Sequence, residues 1–203
     1  MKYILENTDA LNEEFLCKVM NMLSLQRQQK IDSLRILSDR INSAAVFLIL
    51  RYALKKEYGI DALPEFSFGE KGKPYLNGYN NIYFNLSHSR NSCACIISDK
   101  ETACDISDKR RISDKTARYF CTAEEIANAE RSDDKNSALV ALWTKKECCS
   151  KLSGRGLSVD FKTLTGDILS GINIYDGERY IAAFEGDGDV NIITLDEIFS
   201  AIG

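Results

Sequence analysis

Glu147 and Lys151 stand four residues apart in Trp143-Thr-Lys-Lys-Glu-Cys-Cys-Ser-Lys151, a spacing that stacks a carboxylate and an ammonium on one face of a helix. Side by side they can hold a metal ion and a phosphate. The same spacing also describes an ordinary surface pair worth about 0.3–0.5 kcal/mol, so the rest of the chain must separate the two readings. Ala103-Cys-Asp-Ile-Ser-Asp108 places Asp105 inside or at the end of an apolar strand. It is either a turn or cap residue or a second carboxylate for a shared ion. Magnesium suits that second reading, because it takes oxygen ligands, uses one or two protein carboxylates and completes its octahedron with water and substrate phosphate.

Two further segments carry polar groups of the kind that bind phosphate. Phe84-Asn-Leu-Ser-His-Ser89 ends a strand and holds the single histidine of the chain between two serines. There His88 is a structural hydrogen-bonder, or it joins hydroxyls and backbone N–H groups around an anion. Gly69-Glu-Lys-Gly-Lys-Pro-Tyr75 is a basic glycine turn, which by itself also reads as a solvated loop.

These residues need elements to position them. Ser38 to Tyr58 reads as a long helix, with Ser-Asp at its start, Gly59 past its end and Ile41, Ala45, Leu48 and Tyr52 as a buried stripe. Strand-like runs follow at Asn81 to Ser87 and Ser92 to Ser98, with a possible third at Thr102 to Ile106. After short helical stretches between Ser113 and Glu130, a second long helix is expected from Lys135 to Leu152. Three more strands are expected at Ile168 to Tyr175, Arg179 to Phe184 and Asp189 to Leu195. Each half is thus a long helix followed by an antiparallel-looking meander. The expected class is α+β, with an N-terminal subdomain over 1–101 and a C-terminal one over 102–203.

Bulk properties narrow the function classes. The 203 residues are 44% hydrophobic and 28% charged with two prolines, the balance of a globular protein. A net charge of -4 argues against a general nucleic-acid binder, which needs an excess of Lys and Arg. No apolar run reaches membrane-spanning length, and the opening MKYILENTDALNEEFL reads as neither signal nor transit peptide. Seven cysteines without a C-x-x-C pair suit core packing in a reducing, cytoplasmic setting better than zinc.

The ordered set of Gly-Lys-Pro, Phe-Asn-x-Ser-His-Ser, an aspartate-bearing strand, Trp-Thr-Lys-Lys-Glu-x-x-x-Lys and then Gly154-x-Gly-Leu157 resembles the Sfp-type 4'-phosphopantetheinyl transferases over most of the chain. The resemblance implies two similar α+β halves related by a pseudo-twofold within a monomer, with the active site in the cleft between them. It implies transfer of the 4'-phosphopantetheine group from coenzyme A to a serine of an apo acyl or peptidyl carrier protein, with release of 3',5'-ADP. Asp105 and Glu147 are then expected to hold Mg2+, with Ser107 beside them. Lys151 is expected to contact the coenzyme A pyrophosphate, while Lys73, Ser87, His88, Arg27, Lys30 and Arg40 are expected to bind the rest of coenzyme A. Glu147 is the expected proton acceptor for the carrier serine, and Lys151 and His88 would stabilise the departing charge. Lys109, Arg110, Arg111, Lys115 and Arg118, interspersed with Ile112 and Tyr119, are either a docking patch for an acidic carrier or a solvated charged helix.

The family's Gly-[Ile/Val]-Asp-x-Glu is Cys104-Asp-Ile-Ser107 here, so Ser107 stands where a second acid is usual. Asp108 could replace it only through a turn, since along a strand it faces away from Ser107. A family arginine near the start of the first long helix is replaced by Asn42, with Arg40 on a different helical face. Two other readings stay open. One is a family member that binds coenzyme A or carrier without efficient transfer; the other is a thiol enzyme using Cys148 or Cys149 with His88.

Overall fold

The structure is a computed structural model that describes residues 1–154 and 158–203. The elements are β1 (Lys2–Glu6), α1 (Glu13–Val19), α2 (Leu25–Ser33), α3 (Leu37–Tyr58), β2 (Phe66–Phe68), β3 (Pro74–Leu76), β4 (Tyr83–His88), β5 (Ser92–Ser98) and β6 (Cys104–Asp108). They continue with α4 (Asp114–Phe120), α5 (Ala123–Glu130), α6 (Lys135–Leu152), β7 (Ile172–Asp176), β8 (Tyr180–Glu185), β9 (Val190–Ile193) and α7 (Leu195–Ile202). The class is mixed α+β, as expected.

Two sheets lie face to face between two long helices. One sheet has the order β4-β5-β1-β9 and the other β6-β8-β7. Along β5, Cys93, Cys95 and Ile97 pack with Ala45, Leu48 and Tyr52 of α3. The alternate residues Ala94 and Ile96 meet Cys104, Ile106, Ala182 and Phe184 of the second sheet. Helix α6 covers that sheet's other face, where Leu139, Val140 and Cys148 pack on Ala103, Ile181 and Ala183. Burial on both faces explains why β5 is apolar or small at nearly every position rather than alternating.

Helix α3 begins at Leu37 with Ile36 as its N-cap and no side-chain cap. The expected Ser-Asp cap therefore lies within the first turn, where Asp39 still complements the helix N-terminus. Its end is as read: Gly59 adopts φ 68°, and its N–H bonds the last turn, a conformation that favours glycine. The predicted stripe is buried, but so is every residue from Ile41 to Leu50, because α1, α2 and α7 pack around the faces that the sheet leaves open.

One strand was not read from the sequence, and two others pair differently from a simple meander. β1 lies in the middle of the first sheet, antiparallel to β5 and parallel to β9, although its short Tyr-Ile-Leu run gave no alternation to read. β6 follows the first meander in sequence yet pairs with β8 in the second sheet. β9, expected to finish the second meander, crosses to β1, and α7 then packs on α3. By strand pairing and core packing the last residues therefore lie with the first half. The basic glycine turn Gly69–Tyr75 closes a two-stranded hairpin of β2 and β3, with Gly72 at φ 81°.

Candidate functional site

β4 and β6 are edge strands of different sheets, and the site forms where they meet. Edge strands present unpaired backbone groups, and here side chains satisfy them. Asn85 Oδ1 accepts the Cys104 N–H at 3.2 Å, and Ser87 Oγ accepts the Ile106 N–H at 3.3 Å. Two polar residues at i and i+2 of β4 thus meet two N–H groups at i and i+2 of β6, which is why the strand reads Phe-Asn-Leu-Ser.

Asp105 is buried on β6 beside this seam. Its Oδ1 accepts Ser87 Oγ–H at 2.8 Å and Lys151 Nζ–H at 2.7 Å, and its Oδ2 accepts Ser107 Oγ–H at 3.4 Å. Lys151 also donates to Ser87 Oγ at 2.9 Å and to the Cys104 carbonyl at 3.2 Å. An ammonium has three N–H donors, and a serine hydroxyl has one donor and two lone pairs. Both groups are filled. Burial disfavours charge on Lys151, but the adjacent Asp105 outweighs it and holds the lysine pKa above its ordinary value.

Glu147 lies one helical turn before Lys151 on α6 and makes no hydrogen bond or ion pair among the described residues. Burial raises its pKa, the Asp105 carboxylate raises it further, and Lys151 partly offsets both. Two carboxylates close enough to oppose each other's ionisation, with a serine hydroxyl beside one of them, form an all-oxygen donor set suited to a hard divalent cation. Among the described residues no group of three or more His, Cys, Asp or Glu is placed to hold a metal ion, and the acids at this position are two, Asp105 and Glu147. Asp108 does not join them. Its carboxylate accepts the Arg90 and Asn91 backbone N–H groups at 3.1 and 3.3 Å and Asn91 Nδ2–H at 3.0 Å, holding the β4–β5 turn.

Behind α6, Lys146 fixes the helix that carries Glu147 and Lys151. Its side chain is fully buried, yet its Nζ donates to the carbonyls of Phe120 and Phe161, each at 2.9 Å, and pairs with Glu125 Oε2 at 2.8 Å. Trp143 packs between the Phe120 and Phe161 rings, 5.1 Å from each centroid. The Trp-Thr-Lys-Lys-Glu segment therefore contains an anchor, Trp143 and Lys146, as well as the site-facing residues.

A cavity of about 490 Å³ opens on the other side of β4. Asn85, Leu86 and His88 of β4 line it, with Arg27, Lys30, Asp39, Ser43 and Phe66 among the facing residues. Arg27 is buried, its guanidinium hydrogen-bonded among the described residues only to Ser43 and set over the rings of Phe47 and Phe66. Burial lowers its pKa to about 10. Lys30 is an exposed residue, and partial desolvation of its ammonium, then the Arg27 charge, lower its pKa. The His88 pKa is lowered by desolvation, with the Lys151 and Lys30 charges adding to it. Three basic groups without an ion pair among the described residues, against one lining carboxylate, Asp39, make this apolar-walled cavity suited to an anion with a planar apolar group.

The remaining predicted residues are spread more widely. Lys73 pairs with Glu101 and is not in the cavity lining. Arg40 points to Asp32, 3.8 Å away, and its Nε is buried without a partner among the described residues. Asn42 donates its amide to the Ser89 carbonyl at 2.9 Å, a backbone brace rather than a charge. In the proposed patch Ile112 is core, and Lys109 is paired with Asp176 at 2.7 Å. Arg110, Arg111, Lys115, Arg118 and Tyr119 are exposed. Of the Gly154–Leu157 segment, Arg155, Gly156 and Leu157 lie outside the described residues.

The thiol reading meets opposing facts. Cys148 is fully buried, its Sγ–H donates to the Ala103 carbonyl at 3.3 Å, and burial raises the pKa of both Cys148 and Cys149. A nucleophilic thiol needs access and a lowered pKa.

Comparison with known proteins bears on the same segments. Residues 101–188, which carry β6, α6 and the second sheet, match the model of the 4'-phosphopantetheinyl transferase superfamily. A 4'-phosphopantetheinyl transferase of Bacillus subtilis is 26% identical over 184 residues, covering 86% of this chain and 82% of its own. The 4'-phosphopantetheinyl transferase Sfp of Bacillus subtilis strain 168 is 26% identical over 152 residues, 73% of this chain and 68% of its own. The 4'-phosphopantetheinyl transferase AcpT of Salmonella typhi is 33% identical over 100 residues, 47% of this chain and 52% of its own.

Proposed function

The chain belongs to the 4'-phosphopantetheinyl transferase superfamily, and from that premise we propose that it transfers the 4'-phosphopantetheine group of coenzyme A to a serine of an apo acyl or peptidyl carrier protein, releasing 3',5'-ADP. The observation that carries this reading is the adjacency of an all-oxygen carboxylate pair, a lysine and an anion pocket across a single strand, β4.

Asp105 and Glu147, with Ser107 as a neutral neighbour, are the residues that would hold Mg2+. When bound, the ion neutralises charge on the diphosphate, which in phosphoryl transfer supplies much of the catalysis. The chain's own groups do the rest. Arg27 and Lys30 hold the nucleotide phosphates, and the apolar wall of the cavity takes the base. Lys151 and His88 face the diphosphate, where His88, neutral at pH 7, donates a hydrogen bond rather than a full charge. Glu147 is the best-placed acceptor for the carrier serine proton, because among the described residues its carboxylate is spent on no hydrogen bond or ion pair. The carrier docks on Arg110, Arg111, Lys115, Arg118 and Tyr119, a basic surface with one exposed aromatic that complements an acidic partner.

As part of the same reading, the two sheets and their long helices act as pseudo-twofold halves of a monomer that works in the cytoplasm, where seven free cysteines stay reduced. Incubation with Mg2+, coenzyme A and several apo carriers, followed by intact-mass analysis, tests the activity. Retained coenzyme A binding with no mass gain on any carrier would favour a binding-only member of the family.

A further inference from the structure

We propose that Lys151 is a resident cation of the carboxylate site: in the ligand-free protein its ammonium occupies the Asp105 oxygen that a divalent cation needs, so metal binding and diphosphate binding are coupled through one side-chain exchange. The inference rests on the reading of Asp105 and Glu147 as a divalent-metal pair, and it goes beyond that reading by assigning an order to the events.

Hydrogen-bond capacity fixes the resting position of the lysine. All three Lys151 N–H groups are spent inward, on Asp105 Oδ1, Ser87 Oγ and the Cys104 carbonyl, between 2.7 and 3.2 Å. None is left for a phosphate. Asp105 Oδ1 in turn receives both Ser87 and Lys151, while Oδ2 has only the long contact from Ser107. With the ammonium in place, the cluster of Asp105, Glu147 and Lys151 carries one net negative charge; with it withdrawn, two. A divalent cation binds the second state far better than the first.

Withdrawal alone is unfavourable, because a partly buried ammonium without acceptors bears the desolvation cost of an unpaired charge. A diphosphate removes that obstacle by offering the ammonium new acceptors. The metal offers Asp105 and Glu147 a new counter-charge at the same moment. Each ligand thus favours the lysine position that the other requires, and the coupling must be reciprocal. Ser87 stays behind as the hydroxyl that keeps Asp105 oriented in both states.

The test is a titration of Mn2+ alone, with no nucleotide or phosphate present, read by electron paramagnetic resonance of the free ion. Lys151→Met is expected to bind Mn2+ about tenfold or more tightly than the wild type, because a positive charge in contact with the ligand oxygen has been removed. Lys151→Arg keeps the cation and should stay within about threefold of wild type, as should Lys30→Met, which removes the same charge from a residue that does not touch Asp105. If Lys151→Met is poorly folded by circular dichroism, Lys151→Gln serves in its place with the same expectation. Equal or weaker Mn2+ binding after loss of Lys151, with the wild type binding measurably, overturns the coupling and leaves the metal site intact. An equal gain in Lys30→Met also overturns it, as a general charge effect. Failure of every folded variant to bind Mn2+ overturns both the coupling and the metal reading. The expected pattern with no transfer to any carrier counts against the activity alone.

Discussion

The Ser87 hydroxyl stands 2.8 Å from Asp105 Oδ1 and at the same time receives the Ile106 N–H at 3.3 Å, so one side chain both orients the buried acid and closes the seam between two sheets. Ser87→Ala leaves that N–H unsatisfied and takes one partner from the carboxylate. A loss of about 1–3 kcal/mol in urea unfolding is expected. In a transfer assay kcat should fall more than KM for coenzyme A rises, since the reacting geometry is what Ser87 holds.

Lys146 makes the opposite kind of contribution, entirely structural. Replacing it with Met takes the counter-charge from Glu125, which keeps only its Thr122 N–H cap among the described residues, and strands two carbonyls that now share one ammonium. Breaking a buried pair by removing one partner costs about 3–5 kcal/mol, so Lys146→Met should lower the urea midpoint sharply. If stability were unchanged, α6 would be anchored by Trp143 packing alone.

Glu147 is poised at a cost to the fold. Its folded-state pKa is raised, first by burial and then by Asp105, so the native state holds this proton more tightly than the unfolded state does. Stability therefore falls as pH rises from the unfolded carboxylate pKa through the folded one. Glu147→Gln should melt higher than wild type at pH 7 in metal-free buffer, with the difference closing below about pH 4.5. A lower melting temperature at pH 7 would mean that Glu147 has a stabilising partner.

Arg27 separates binding from stability. Its guanidinium is buried with, among the described residues, only Ser43 as hydrogen-bond partner and no carboxylate, so Arg27→Met relieves a buried charge and should leave the unfolding free energy within about 1 kcal/mol of wild type. Coenzyme A binding, measured calorimetrically, should weaken about tenfold or more, as expected for loss of a charge-assisted phosphate contact. Unchanged affinity would remove the cavity from the coenzyme A site.

Much of this arrangement was legible in the sequence, and the gaps have physical causes. Asp105 was conspicuous as an acid in an apolar strand, and Glu147 with Lys151 as a helical pair; the structure brings Lys151 onto Asp105. The end of the first long helix was readable because Gly59 closes it. The Lys135–Leu152 helix and the Ser92–Ser98 strand match the expected bounds.

Long-range pairing was not legible. Nothing local in Val190–Ile193 says that it should join β1, nearly the whole chain away, and a strand buried on both faces such as β1 has no alternation to betray it. The bridging role of Asn85 was missed for a related reason. Its signal is the two-residue spacing to Ser87, and that spacing acquires meaning only when another edge strand lies opposite. Lys146 was hidden by its neighbours, since a lysine inside Thr-Lys-Lys-Glu reads as surface until the helix is seen to be covered behind it. Asp108, weighed as a substitute acid, turns instead to the Arg90–Asn91 turn, as strand alternation from Ser107 requires.

Intact-mass spectrometry of an apo carrier protein incubated with this chain, coenzyme A and Mg2+ tests the central claim most directly. The expected result is a mass gain of one 4'-phosphopantetheine group on the carrier serine, abolished by chelation and reduced by at least about a hundredfold in rate in Glu147→Gln, the scale of losing a positioned acid–base group. Undiminished transfer by Glu147→Gln, or no mass gain on any of a panel of fatty-acid, polyketide and peptide carriers, would contradict it.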